Sequence, residues 1–260
     1  MKSNPIKAIL LIAFFIVTAL LTYFGLHSSE AQIDFKALNQ QRAEAMTTQN
    51  EKAFETILKN LGSSTTLVKP DILQSNDTNR LALSIRLLDT MQQYIYAGVL
   101  SERIAKIGQD AWRYHSAARY FLMATEKGEH MGMLFKKAKS NLEQCLTLSP
   151  QNLNAKVDLA VSIYNINNQE PPKNSADLMR PALLLREVVA ADSNHVDALY
   201  YLGKLAQASN QLEKAIERFR KLVYLQPQNR EHYLELSQMY EQLGQEKEAK
   251  VWLEKSQTIH

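Results

Sequence analysis

The sequence predicts an all-α protein in which an apolar N-terminal helix and additional helices precede a solenoid of stacked helical hairpins. Three observations predict it. Eight glycines and seven prolines in 260 residues are roughly half the usual share, too few for the turn every 8–12 or so residues that a sandwich or barrel needs. Apolar residues recur at steps of three and four, and no stretch alternates with period two. The second half repeats a stop: Leu148-Ser149-Pro150-Gln151-Asn152 and Leu225-Gln226-Pro227-Gln228-Asn229 are nearly the same sequence, and Ala191-Asp192-Ser193-Asn194 falls between them. Thirty basic against 27 acidic residues leave a net charge of +3, too small an excess for a nucleic-acid stripe. The single cysteine, Cys145, excludes an intramolecular disulfide and a multi-cysteine metal cage.

Taken in order, residues 1–30 read as a membrane anchor. Ala8 to Leu26 carries no charge over nineteen residues, and a helix of that length spans about 28 Å, close to the hydrocarbon thickness of a bilayer. Ser29-Glu30-Ala31 offers a small-x-small cleavage site, so a cleaved signal peptide is the competing reading. Lys2 and Lys7 precede the span, whereas Glu30 and Asp34 follow it. That asymmetry places the short tail in the cytoplasm and everything after about residue 30 outside it, as a single-pass inner-membrane protein with a periplasmic body.

Residues 31–108 form a helical region. Phe35, Leu38, Phe54, Ile57, Leu58 and Leu61 give a helix over about 33–61. Residues 62–79 collect Gly, Ser, Thr, Pro, Asp and Asn and read as a linker. Leu81, Ile85, Leu88, Met91, Ile95, Val99 and Ile104 stripe one face of a single helix ending near Gly108. A further helix over about 111–127 shows Trp112, Tyr114, Ala117, Ala118, Phe121 and Leu122.

Residues 109–260 hold the recurrence. With Val196 as position 1 of a unit of about 34 residues, Leu202 and Gly203 fall at positions 7 and 8, Ala215 at 20, Phe219 at 24 and Pro227 at 32. The next unit starts at Arg230 and carries Tyr233, Leu236, Tyr240 and Ala249 at 4, 7, 11 and 20. Upstream, Ala138, Leu142, Cys145 and Pro150 match 20, 24, 27 and 32, and Leu153 to Asn194 fits one more unit with an insertion around residues 169–174. Position 8 is small throughout (Ala160, Gly203, Ser237), although Pro181 stands where Ala is expected. The small residues let two helices approach, the aromatic fills the gap between units, and the proline stops the second helix.

This pattern resembles the tetratricopeptide repeat (TPR) family over roughly residues 110–260, in about three to four repeats. The resemblance implies a superhelix whose concave surface, lined by first helices, binds peptides or helices of other proteins. By that geometry the partner-binding groove is Asn154, Val157, Val161 and Tyr164, then Asp197, Tyr200, Lys204 and Gln207, then Glu231, Leu234, Gln238 and Glu241. With a single lysine and a single asparagine the set lacks the combination of basic residues and asparagines that makes a carboxylate clamp, so an extended or helical apolar segment is the expected ligand. Tyr164 and Tyr200 are its anchors, stiff and amphipathic, and Lys204 is placed to meet a carboxylate.

Nothing in the sequence anchors a catalytic, cofactor or metal reading: H-E-x-x-H, G-x-S-x-G, G-x-G-x-x-G and G-K-[ST] are all missing. Glu126 and His130 read as a helix-surface pair, Cys145 as a buried thiol, and Lys136, Lys137, Lys139, Arg218, Arg220 and Lys221 as solvated convex clusters. The expectation is a membrane-tethered interaction scaffold that is not an enzyme and takes no small-molecule substrate. The alternative is a structural accessory subunit of a larger envelope complex, of the secretion or cytochrome c assembly type.

Overall fold

Helix ends decide this architecture, because three of its hairpins are closed by backbone chemistry at their tips. In the computed structural model, the described residues are 70–259, except 129 and 171–174, together with scattered positions between 40 and 59. The chain divides into two compact units, residues 1–65 and 66–260. In the first, every described position from 40 to 59 is helical, in agreement with the helix read over 33–61. The apolar span 8–26, the cleavage site at 29–31 and residues 62–69 of the linker lie outside the described residues. Among the described residues no helix is long and apolar enough to cross a membrane.

The second unit is a run of helices: α1 (Pro70–Gln74), α2 (Thr78–Thr90), α3 (Tyr94–Gly108), α4 (Ala111–Ala124), α5 (Met131–Leu148), α6 (Leu153–Gln169), α7 (Ser175–Ala191), α8 (Val196–Ala208), α9 (Leu212–Leu225), α10 (Arg230–Gln242) and α11 (Glu246–Gln257). No strand occurs among the described residues. From α2 onward each helix packs on the next, giving the hairpins α2/α3, α4/α5, α6/α7, α8/α9 and α10/α11. The last four cover the predicted repeats. Arg103 of α3 holds the segment after α1, donating to the carbonyls of Gln74 and Ser75 at 2.6 and 2.5 Å, so part of the predicted linker is ordered helix and cap.

The single helix expected over 81–108 is two helices. Gln92 adopts φ 55°, its N–H donates to the Asp89 carbonyl, and the Gln93 N–H donates to that of Leu88. This paired closure is a Schellman motif. It recurs at Asn210 (φ 55°) and Gly244 (φ 71°), with Gln211 N–H reaching Ala206 and Gln245 N–H reaching Tyr240. Only one of the three turns spells its left-handed residue as glycine, so the apolar stripe runs through the Gln92 turn unmarked. Glutamine in that conformation carries a steric cost that glycine avoids. Gln92→Gly is expected to raise stability by about 0.5–1 kcal/mol, read as a higher thermal midpoint.

N-terminal caps follow the predicted stops at two of three places. Asn152 accepts from the Ala155 N–H at 3.0 Å and Asn229 from the Glu231 N–H at 3.1 Å. At the middle stop the cap is His195, whose Nδ1 faces the Ala198 N–H at 3.4 Å, while Asp192 instead accepts from the Asn194 N–H. Pro181 sits inside α7 and is buried. A proline there removes the hydrogen bond to the carbonyl four residues back; that carbonyl, on Asp177, accepts from Asn167 Nδ2 at 3.1 Å. The neighbouring helix thus replaces the donor that α7 lacks.

Two buried clusters continue through the repeats. Val157, Ala160, Leu185, Val188, Ala198 and Leu202 join α6, α7 and α8. Leu199, Ala206, Ala215, Phe219, Leu222, Leu236, Met239 and Ala249 join α8 through α11. Gly203 lies against the Phe219 ring, as its position 8 requires. Ser237, the equivalent residue of the last repeat, donates to the Ala249 carbonyl across its hairpin at 2.9 Å.

Candidate protein-interaction face

The first helices of consecutive hairpins are tied to one another by side chains. His115 Nε2 of α4 lies 2.8 Å from Asp158 Oδ2 of α6. His195 Nε2, at the start of α8, is 3.1 Å from Asn154 Oδ1 of α6. Between α8 and α10, the Tyr200 hydroxyl donates to Glu231 Oε1 at 3.0 Å, and Lys204 Nζ donates to Glu235 Oε1 at 2.8 Å. These last two links are one helical turn apart on both helices, so they form successive rungs between parallel rows.

The predicted groove set divides when placed on this frame. Asn154, Asp197, Glu231, Gln238 and Glu241 are exposed. Val157 is a core residue, and Val161 packs half-buried against the same cluster. Gln207 and Leu234 are half-buried. Tyr200 packs edge-on to Phe219, with ring centroids 5.7 Å apart, and beside His232; burial first, then its hydrogen bond to the Glu231 carboxylate, holds its hydroxyl protonated above the usual phenol range. It is a packing residue before it is an anchor. Lys204 is already matched with Glu235 rather than waiting for a ligand carboxylate. Tyr164 lies seven positions further along its unit than Tyr200 does, about 10 Å along a helix, and lines a cavity with Leu178, Met179 and Leu205.

The residue that sequence reasoning missed is Tyr201. It is half-buried, meets Tyr200 edge-on at 5.3 Å, and its hydroxyl is pushed up by burial and then by the carboxylates of Asp197, Asp158 and Glu231. Carboxylates of three first helices therefore act electrostatically on one tyrosine hydroxyl. The face is acidic, with Lys204 and His115 already paired within it. Its spacing was visible in the sequence, but a tyrosine at position 6 carries no mark that separates it from a core aromatic.

The remaining chemistry-bearing residues have structural partners. Glu126 lies in the 3-10 turn Thr125–Lys127, and His130 has φ 55° ahead of α5, so the two do not share a helix face as expected. Cys145 is buried, its Sγ is 3.8 Å from Asn152 Nδ2, and burial pushes its thiol up; a thiol in that state is a poor nucleophile. The basic clusters are not simply solvated. Lys136 pairs with Glu170, Lys137 with Glu102 and Lys139 with Glu143, while Arg220 donates to the Tyr240 hydroxyl and Lys221 to the Ser193 carbonyl. No group of three or more potential metal ligands occurs among the described residues.

Stacked hairpins with cross-linked first helices define a helical-repeat scaffold, a fold that serves protein–protein interaction. The tetratricopeptide repeat family model matches residues 196–229 and 232–259, the two units whose signature is most complete, and the chain carries tetratricopeptide repeats there. Among solved structures, MamA from Desulfovibrio magneticus RS-1 is similar over 71% of this chain and 96% of its own, at 18% identity and a TM-score of 0.56. Another MamA structure covers 67% of this chain and 92% of its own, at 17% identity and a TM-score of 0.55. YrrB, described as a TPR protein with an unusual peptide-binding site, covers 71% of this chain and 87% of its own, at 16% identity and a TM-score of 0.50. At these identities the likeness is one of fold. No curated protein sequence matches this chain.

Proposed function

We propose that this protein is a membrane-tethered adaptor whose first-helix face binds a segment of a partner protein in the periplasm. The observation that carries the reading is the acidic face itself: Asp158, Asp197 and Glu231, from three consecutive first helices, all act electrostatically on the Tyr201 hydroxyl, and ties between those helices hold them together. A preorganised surface binds without the cost of ordering itself. The chemistry favours a segment with basic side chains around an apolar or aromatic one, where the sequence suggested an apolar segment alone. The peptide-binding site named for YrrB supports a peptide-sized ligand. The tether rests on the uncharged stretch Ala8 to Leu26 and the lysines before it.

The test is recovery of partners by the full-length chain from detergent-solubilised membranes. Asp197→Lys reverses the charge of an exposed acid that makes none of those ties and is expected to lower partner recovery about tenfold, a change of about 1.4 kcal/mol, while stability falls by no more than the loss of a first-turn acid costs, about 0.3–1 kcal/mol. Membrane retention through carbonate washing should be unaffected. Recovery at parental levels would remove the face from the reading. A stoichiometric complex indifferent to the lysine at 197 would favour a packed subunit, a reading that draws on the exposed apolar residues Leu83 and Leu87 of α2, 70% and 55% accessible.

A further inference from the structure

A second surface lies between α7 and α9, where Tyr164 and Asn167 of the first helix α6 also line it. There α7 and α9 border a cavity of about 320 Å³, floored by Leu202, Leu205 and Ala206 of α8. Two features set it apart. Leu178 and Met179 on its rim, and Leu183 on the same helix, are 59%, 47% and 50% exposed, although large apolar side chains grouped on a surface mark sites of interaction. Its charged lining is Arg186, Lys214 and Arg218, with no aspartate or glutamate.

These cations differ from the lysines of α5. Lys136, Lys137 and Lys139 each have a carboxylate partner. Arg186 has no hydrogen bond or ion pair among the described residues, Lys214 Nζ donates to the neutral Gln211 side chain, and Arg218 Nη1 donates to the Lys214 carbonyl. Burial lowers the Arg218 guanidinium from its ordinary range, and, against an opposing pull from Glu217, so does the charge of Arg186. Like charges are thus gathered beside an apolar hollow with nothing in the lining to neutralise them, an arrangement that favours an anionic ligand.

We infer that the cavity between α7 and α9 docks an acidic amphipathic segment of a partner protein, its apolar side chain entering against Leu178, Met179 and Leu205 and its carboxylates meeting Arg186 and Arg218. A protein segment fits better than a bilayer or a nucleic acid. The apolar wall is recessed and can be filled by a protruding side chain, and three cations around one hollow are too few for a charged sheet or a phosphate track. The planar guanidinium of Arg186 is suited to bidentate pairing with a carboxylate.

The experiment titrates the full-length chain in detergent with a fluorescent synthetic peptide of roughly twelve residues built from Leu and Glu on opposite helical faces, and with its Gln-for-Glu counterpart. The acidic peptide should bind at least about tenfold more tightly than the neutral one, and Arg186→Glu, on an exposed side chain, should remove that preference. Binding of phosphatidylglycerol vesicles to the same full-length chain should show no dependence on Arg186. Equal binding of the two peptides, no binding of the acidic one, or binding unchanged in Arg186→Glu would overturn the inference. So would Arg186-dependent vesicle binding, or Arg186-dependent self-association in sedimentation, either of which would put a different occupant in the cavity. Asp197→Lys should leave the peptide titration unchanged, so this surface and the first-helix face succeed or fail separately.

Discussion

Gly203→Leu is expected to destabilise the C-terminal hairpins by about 1–3 kcal/mol or more, the usual range for overpacking, and to lower the thermal midpoint accordingly. A Cβ at Gly203 would stand 2.5 Å from Cε2 and 2.9 Å from Cδ2 of Phe219. Those distances lie inside van der Waals contact, and Phe219 is fully buried among α8 to α11, so the ring has no free space to enter. The helices α8 and α9 must separate, and in a solenoid that separation is transmitted to the next hairpin stacked on them. Circular dichroism melting of the variant checks this, with Lys247→Gln on the exposed side of α11 as the control that should shift stability by less than about 0.5 kcal/mol. If Gly203→Leu melts like the parent, the close approach of α8 and α9 is not there.

Phe121→Ala should cost still more, about 3–5 kcal/mol, as for other fully buried phenylalanines. Its ring is 0% exposed and lies where a Cβ on Gly98 would come within 2.8 Å of Cε1. The pair joins α3 to α4 in the same way that Gly203 and Phe219 join α8 to α9. Because a glycine faces the ring, the void left by Phe121→Ala can be refilled from the opposite helix. Gly98→Leu alone should destabilise by overpacking, yet the double variant should be less destabilised than the two single changes added together. Strict additivity in chemical denaturation would show that the two residues do not meet.

These two contacts are alike in the structure and differ in legibility. Gly203 and Phe219 sit at positions 8 and 24 of a unit whose other marks recur, so spacing alone reveals the contact. Gly98 and Phe121 are separated by a different interval: Gly98 precedes the predicted repeats, and Phe121 falls on no position whose mark recurs. The hairpin before the repeats was legible only as amphipathic sequence, and the turn at Gln92 not at all, since its left-handed residue is not glycine. Pro181 looked like a departure from pattern. It is tolerated because Asn167, on another helix, supplies the donor that the proline removed.

By itself the sequence determined what is set within one helix or one hairpin: the all-α class, the recurrence over residues 110–260, the caps at Asn152 and Asn229, and the pairing of small residues with Phe219. Those features depend on backbone termini and side-chain volume, which leave a fixed spacing in the chain. Tertiary structure alone decided which surface each polar side chain serves. Lys204 was free to meet a ligand until α10 brought Glu235 to 2.8 Å, and Tyr200 was an anchor until Phe219 lay beneath it. Tyr201 came under the influence of three carboxylates only because α6, α8 and α10 each carry one near enough to act on it, and Arg186 and Arg218 became neighbours only because α7 and α9 flank one cavity. Coulomb and packing energies depend on distances between helices, and those distances are set by stacking, which no single repeat encodes.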